Sequence, residues 1–110
     1  MNPSKSKGDR AELEIAGILT DRLGWPVKRA LGAGRAEDTG DLFGIPETCI
    51  QVKNYADTLR AINEAMRDLP RQQAHAGTTF AAAAIRRRGG AWMFVLDVDQ
   101  FCALLREALS

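Results

Sequence analysis

Histidine occurs once in this 110-residue chain and cysteine only twice. Cys49 and Cys102 lie far apart and match no metal-ligand spacing, which excludes a cysteine-based metal motif. Each sits among apolar neighbours and reads as a buried free thiol. The lone histidine, His75, follows a proline-bearing helical stretch, so it reads as a surface or helix-end residue rather than a catalytic base. Long hydrophobic runs are missing as well: none approaches the roughly 18 residues that a membrane span needs. The first residues are polar and basic, with no apolar core behind them, unlike a secretory leader. These absences lead us to expect an intracellular protein that acts in the cytoplasm. Long polar tracts, internal repeats and linkers are absent too. The expectation is therefore one domain over residues 9–110, preceded by a flexible basic arm at 1–8, within the common domain size of about 100–150 residues.

The net charge is only +1, yet the cations are unevenly placed. Lys5, Lys7 and Arg10 open the chain, Lys28, Arg29 and Arg35 follow the first helical stretch, and Arg86, Arg87 and Arg88 form a run. Most of the basic residues are arginine, whose planar fork suits bidentate phosphate contacts. Any one such cluster alone reads as a solvated loop. Joined to the chemical signature described below, Lys5, Lys7, Arg10, Arg29, Arg35 and Arg86–Arg88 become candidate DNA-phosphate contacts, and such contacts make binding steeply salt-dependent.

Periodicity gives the order of elements. From Asp9 to Leu23 the pattern is helical, with Ile15, Ala16, Leu19 and Leu23 on one buried stripe and Gly24 as the stop. Residues 26–31 alternate like a short strand. Gly32–Arg35 is a loop, either a plain connection or one whose glycines let the backbone approach DNA phosphates while Arg35 contacts them. Asp41–Ile45 reads as a second strand, Pro46-Glu47 as a turn and Thr48–Lys53 as a third strand. A helix then begins near Thr58, with Leu59, Ile62, Met66 and Leu69 as its inner face, and Pro70 must kink or restart it. Phe80–Ile85 and Trp92–Leu96 are apolar runs that either form a hairpin or stand as neighbours. Asp97 or Asp99 caps a final helix whose face is Phe101, Leu104, Leu105 and Ala108. Trp25 and Trp92 read as packed at element ends. The order is α-β-β-β-α-β-β-α, an α/β fold with a mixed sheet flanked by helices.

The strongest chemical signal lies between Asp41 and Lys53. An acid opens one strand after Gly40, and Gln51-Val52-Lys53 occupies the next. Side chains alternate along a strand, so Gln51 and Lys53 share a face while Val52 points into the other layer. Lysine is rarely buried unless paired, so its place on a strand face needs a reason. Phosphodiester hydrolysis supplies one. Mg²⁺ takes hard oxygen ligands, usually one or two carboxylates with waters and phosphate oxygens. Asp41 is the expected principal ligand, helped by the Gln51 side-chain oxygen and the Val52 carbonyl, with Mn²⁺ able to substitute. Lys53 would orient water or stabilise charge on the phosphate. At about 100° per residue, Glu12 falls on the apolar stripe of the first helix and faces the sheet, whereas Glu14 points nearly the opposite way. Glu12 is therefore a fourth candidate, either capping the helix or serving the site. Glu37 and Asp38 can add charge, and Gln72 and Gln73 are weaker candidates from the second helix.

Lys7-Gly8, Glu12, the Gly32–Arg35 loop, Gly40-Asp41 and Gln51-Val52-Lys53 together resemble the PD-(D/E)XK nuclease superfamily over about residues 5–56. Within it the layout is similar to the small archaeal-type Holliday junction resolvases and their phage relatives. The resemblance implies a restriction-endonuclease-like fold and Mg²⁺-dependent cleavage of four-way DNA junctions by a homodimer. It places Glu12, Asp41, Gln51 and Lys53 in the metal and catalytic site. Most members carry an acid where this chain has Gln51. The Gln-X-Lys form and Ile50–Tyr55 look like those of Mrr-type restriction endonucleases. A phage-encoded enzyme is one expectation, and a general duplex nuclease or a non-cleaving DNA-binding protein remains an alternative.

Overall fold

The computed structural model describes residues 3–30 and 40–110. Helix α1 spans Pro3–Leu23, strand β1 Lys28–Arg29, β2 Leu42–Phe43, β3 Thr48–Lys53, helix α2 Thr58–Ala76, β4 Phe80–Arg86, β5 Trp92–Val95 and α3 Val98–Ala108. Among the described residues five strands form one mixed sheet in the order β1-β2-β3-β4-β5. The β3–β4 pair is parallel and is joined through α2, while the other three pairs are antiparallel. Among the described residues no helix is long and apolar enough to cross a membrane.

Two layers of side chains hold the sheet between helices. On one face Ala11, Ile15, Ala16 and Leu19 of α1 pack on Val27, Leu42, Ile50, Val52 and Ala84. On the other, Ala61 and Ala65 of α2 meet Ala83 and Ile85, and Leu69 meets Cys49 and Ala81. β4 carries four consecutive buried alanines, Ala81–Ala84. Alanine facing alanine on both sides lets helices approach the strand closely, so small-residue complementarity replaces bulk in this core. The last strand pair is a hairpin, closed by a 3-10 turn at Arg88–Gly90. β5 pairs with β4 only as far as Ala83. Below that point the Ala81 N–H is accepted by the Gln100 side chain of α3 at 2.9 Å, which completes the edge. Asp97, rather than Asp99, caps α3 by accepting from Gln100 N at 2.9 Å.

Several sequence expectations need correcting. The stretch 1–8, expected as a flexible arm, is helical from Pro3, where proline's fixed φ suits a first helical turn. Leu23 is 46% exposed, because α1 overshoots the core cluster, whose last α1 member is Leu19. Leu59 is 67% exposed. It precedes Ala61 by two residues, hence by about 200° around the helix, and the buried line runs through Ala61, Ala65, Leu69 and Gln72 instead. α2 runs through Pro70, which lies on the exposed side while the opposite face stays packed. β1 and β2 are shorter than expected. Trp25 is exposed, whereas Trp92 packs against the α1-side core. No residue of α3 is buried, so Phe101, Leu104, Leu105 and Ala108 form an exposed face, and Cys102 is an exposed thiol. Cys49 is buried as expected.

Candidate active site

Asp41 is placed by backbone rather than by side-chain packing. Gly40 adopts φ +96°, which leaves no room for a side chain: a Cβ there would stand 3.0 Å from both Cys49 Sγ and Ile50 O. The close approach lets Asp41 N donate to Ile50 O at 2.8 Å, and Ala30 N donates to Asp41 O at 2.8 Å. The Asp41 carboxylate then reaches two residues further along β3, where Oδ2 accepts from Val52 N at 2.7 Å. Such a charge-assisted bond orients the carboxylate at the end of the sheet. The Val52 backbone thus meets Asp41 through its N–H, while the carbonyl was the group expected as a ligand.

Glu12, Asp41, Gln51, Val52 and Lys53 all line one cleft of about 540 Å³ at the carboxyl end of β3. Ligands in open α/β sheets commonly bind outside the carboxyl ends of strands. Val52 also packs into the α1-side core, while Gln51 and Lys53 project to the α2 side, as strand alternation requires. Gln51 is 5% exposed, and its Oε1 is buried without a hydrogen-bond partner among the described residues. A buried acceptor left unmatched costs about 1–3 kcal/mol, so the oxygen marks a position where a ligand or ordered water belongs.

Glu12 is held at the cleft by Arg29. Arg29 Nε donates to Glu12 Oε1 at 3.0 Å, and its other branch meets Asp9 Oδ1 at 2.6 Å. Arg29 of β1, expected as a DNA contact, therefore ties α1 to the sheet and orients Glu12. Lys53 lies only 14% exposed, with Nζ donating to the Tyr55 hydroxyl at 3.2 Å and standing 4.0 Å from Glu64 Oε2. The Tyr55 hydroxyl donates to Glu64 Oε2 at 2.6 Å, and Arg60 Nε donates to Oε1 at 3.1 Å. The Tyr55 bond first, and then the Arg60 bond, hold the Glu64 carboxyl below the usual glutamate range.

Tyr55, Arg60, Glu64 and Gln72 were missed or underrated from sequence. Arg60 and Glu64 carry an i,i+4 signal. Gln72 continues the Ala61–Ala65–Leu69 line, and it is 2% exposed in the same cleft. Gln73 faces elsewhere, donating to Thr78 O and Thr79 O and accepting from Gln100 Nε2. His75 is exposed in the last turn of α2. Glu14 turns away from the cleft, as its helical phase requires, and accepts from Trp92 Nε1 at 2.8 Å and from Arg86 Nε at 3.3 Å. Arg87 and Arg88 are exposed at the hairpin turn, and Lys7 lines the cleft. Gly32–Arg35, Glu37 and Asp38 lie outside the described residues, as does the side chain of Lys5.

The donors fit a hard divalent cation of the Mg²⁺ type. Glu12 and Asp41 offer carboxylate oxygens, and Gln51 offers the unmatched amide oxygen. Mg²⁺ commonly needs no more protein than this and keeps several waters. Among the described residues no group of three or more His, Cys, Asp or Glu side chains stands where it could hold a metal ion. Comparison with known protein families, with curated proteins and with solved structures finds no match.

Proposed function

We propose that the chain is a Mg²⁺-dependent DNA endonuclease of the restriction-endonuclease-like type, acting in the cytoplasm as a homodimer that cuts four-way junctions. One observation carries the reading: Glu12, Asp41, Gln51 and Lys53 meet in one cleft, with the Gln51 oxygen buried and unmatched. The α-β-β-β-α-β-β-α order with a parallel β3–β4 pair at its centre is compatible with such a fold.

In this reading Glu12, Asp41 and Gln51 hold the cation, which when bound polarises the phosphate and acidifies a water. Val52 N–H fixes the Asp41 carboxylate, and Arg29 fixes Glu12. Lys53 Nζ, aimed by Tyr55, sits where it can donate to the attacking water or to a non-bridging phosphate oxygen as charge develops. Lys7, Arg10 and the Arg86–Arg88 segment offer cations for the DNA backbone, which fixes register without reading sequence. The exposed apolar face of α3, with Val98 76% and Phe101 55% exposed, supports self-association, and a two-fold dimer suits paired nicks.

The Gln51 amide favours a second reading, a restriction-like nuclease acting on linear duplex. Cleavage of a labelled four-way junction and a linear duplex of matched sequence, both with Mg²⁺, separates the two. Junction selectivity supports resolution, and equal cutting supports the restriction-like alternative.

A further inference from the structure

Beside the catalytic cleft, on the α1 side, lies a second hollow of about 370 Å³, lined by Lys7, Arg10, Ala11, Glu14, Asn54 and Arg86. Lys7 and Asn54 line both hollows, so the two are contiguous. Their charges differ. Among the described residues the cleft presents Lys7, Lys53 and Arg60 against Glu12, Asp41 and Asp57, three cations against three anions. Those described groups carry no net charge. Among the described residues the second hollow sets Lys7, Arg10 and Arg86 against Glu14 alone, three cations against one anion. That carboxylate is held aside by the Trp92 indole at 2.8 Å and by Arg86 at 3.3 Å. Among the described residues no ion pair engages Lys7 or Arg10.

We infer that this hollow is a phosphodiester-binding subsite, taking the nucleic-acid backbone phosphate next to the one in the catalytic cleft. It rests on the nucleic-acid substrate proposed above and adds the place where the strand is anchored. Arg10 and Arg86 supply forked donors, and Lys7 bridges from the scissile position to its neighbour. At about 30 Å³ per water, the volume accommodates a hydrated phosphodiester group. The Arg86–Glu14 pair keeps one cation oriented before the strand arrives, and it leaves Glu14 as the single repulsive group among the hollow's described residues.

The test is fluorescence anisotropy with labelled single-stranded and duplex DNA in EDTA, across a salt series, so that no cleavage occurs. Arg10→Ala is expected to weaken binding alike for all sequences and to reduce the slope of log affinity against log salt by about 1. Arg10→Lys should recover most of the slope, and Glu14→Gln should tighten binding several-fold. Arg67→Ala removes an equal charge from the exposed side of α2 and should change neither quantity. Unchanged binding in Arg10→Ala, or Arg10→Ala and Arg67→Ala weakening it equally, overturns the subsite. So does displacement of the DNA by inorganic phosphate at the concentration of an equally effective oligonucleotide, since that marks a free-phosphate site. Wild type that binds with the predicted slope but never cuts in Mg²⁺ overturns the nuclease reading and leaves the subsite standing. Cutting by wild type alongside unchanged Arg10→Ala binding does the reverse.

Discussion

The ammonium of Lys53 donates to the hydroxyl of Tyr55 at 3.2 Å. That hydroxyl in turn donates to Glu64 Oε2 at 2.6 Å, so the lysine at the end of β3 is aimed by a residue two positions on and a helix beyond. Lysine on a flexible stem would otherwise sample many positions, and fixing it would lower the cost of ordering it in the proposed reaction. Tyr55→Phe keeps the ring that packs beside Ala61, Ala65 and Ile85 and removes only the hydroxyl. It should lower Mg²⁺-dependent cleavage by about 10–100-fold, the usual effect of losing an orienting partner, while DNA affinity in EDTA stays unchanged. Single-turnover rates together with anisotropy check both halves, and an unaltered rate would remove Tyr55 from the mechanism.

Gln51 offers a second handle. Gln51→Glu puts a carboxylate where the amide oxygen is buried, beside Asp41 and Glu12 in the cleft. Without metal, a third negative charge in a desolvated position should lower the melting temperature. With Mg²⁺ the same charge should raise metal affinity by roughly tenfold, since ligand charge tunes such sites. The melting-temperature deficit of Gln51→Glu against wild type should therefore be smaller in Mg²⁺ than in EDTA. Parallel shifts would place the cation elsewhere.

Glu14 gives a pH prediction. The Trp92 hydrogen bond is the largest influence holding its carboxyl below the ordinary value of 4.5, and the Arg86 bond adds to it against opposing burial. A depressed folded pKa contributes stability that is complete above the unfolded value and lost as pH falls through the folded one. Protonation should then loosen the Glu14–Trp92 contact below about pH 4.5. In a Trp25→Phe background, Trp92 is the only indole, and its emission should titrate in that acid window. The added change Glu14→Gln should flatten the curve; a persisting titration would assign it to another group.

The alanine strand predicts a stability response opposite to that of an ordinary core. Ala83 is fully buried between β-sheet and α2, with Ala61 and Ala65 above it. Ala83→Leu adds volume where helix and strand already touch, and should cost about 1–3 kcal/mol by overpacking. Gly17→Ala, on the exposed side of α1 with nothing within 4 Å of the new Cβ, should add about 0.5–1 kcal/mol. Urea denaturation of the two variants measures both signs.

The element order and the pairing of Asp41 with the Gln51–Lys53 strand were legible because each rests on local periodicity. Alternation on β3 separated Val52 from Gln51 and Lys53, and helical phase separated Glu12 from Glu14. The failures have a common cause. Leu59 and the α3 face were assigned inward because large apolar residues dominate a periodicity count, whereas this core is built on alanine, whose burial that count underweights. With Ala61 and Ala65 taken as the inner line, Gln72 would have fallen into the site at once. Tyr55–Glu64 and Glu14–Trp92 could not be read, since partners 9 and 78 residues apart meet only after the sheet forms.

Metal-dependent cleavage by the wild type and its Lys53→Ala and Asp41→Asn variants tests the central claim most directly. A labelled four-way junction is incubated with Mg²⁺ or EDTA. The account predicts paired nicks from the wild type in Mg²⁺ alone, with the rate falling by about 100-fold or more in either variant while both still bind the junction. Intact DNA with the wild type in Mg²⁺, or cutting that persists in EDTA or in both variants, would contradict it.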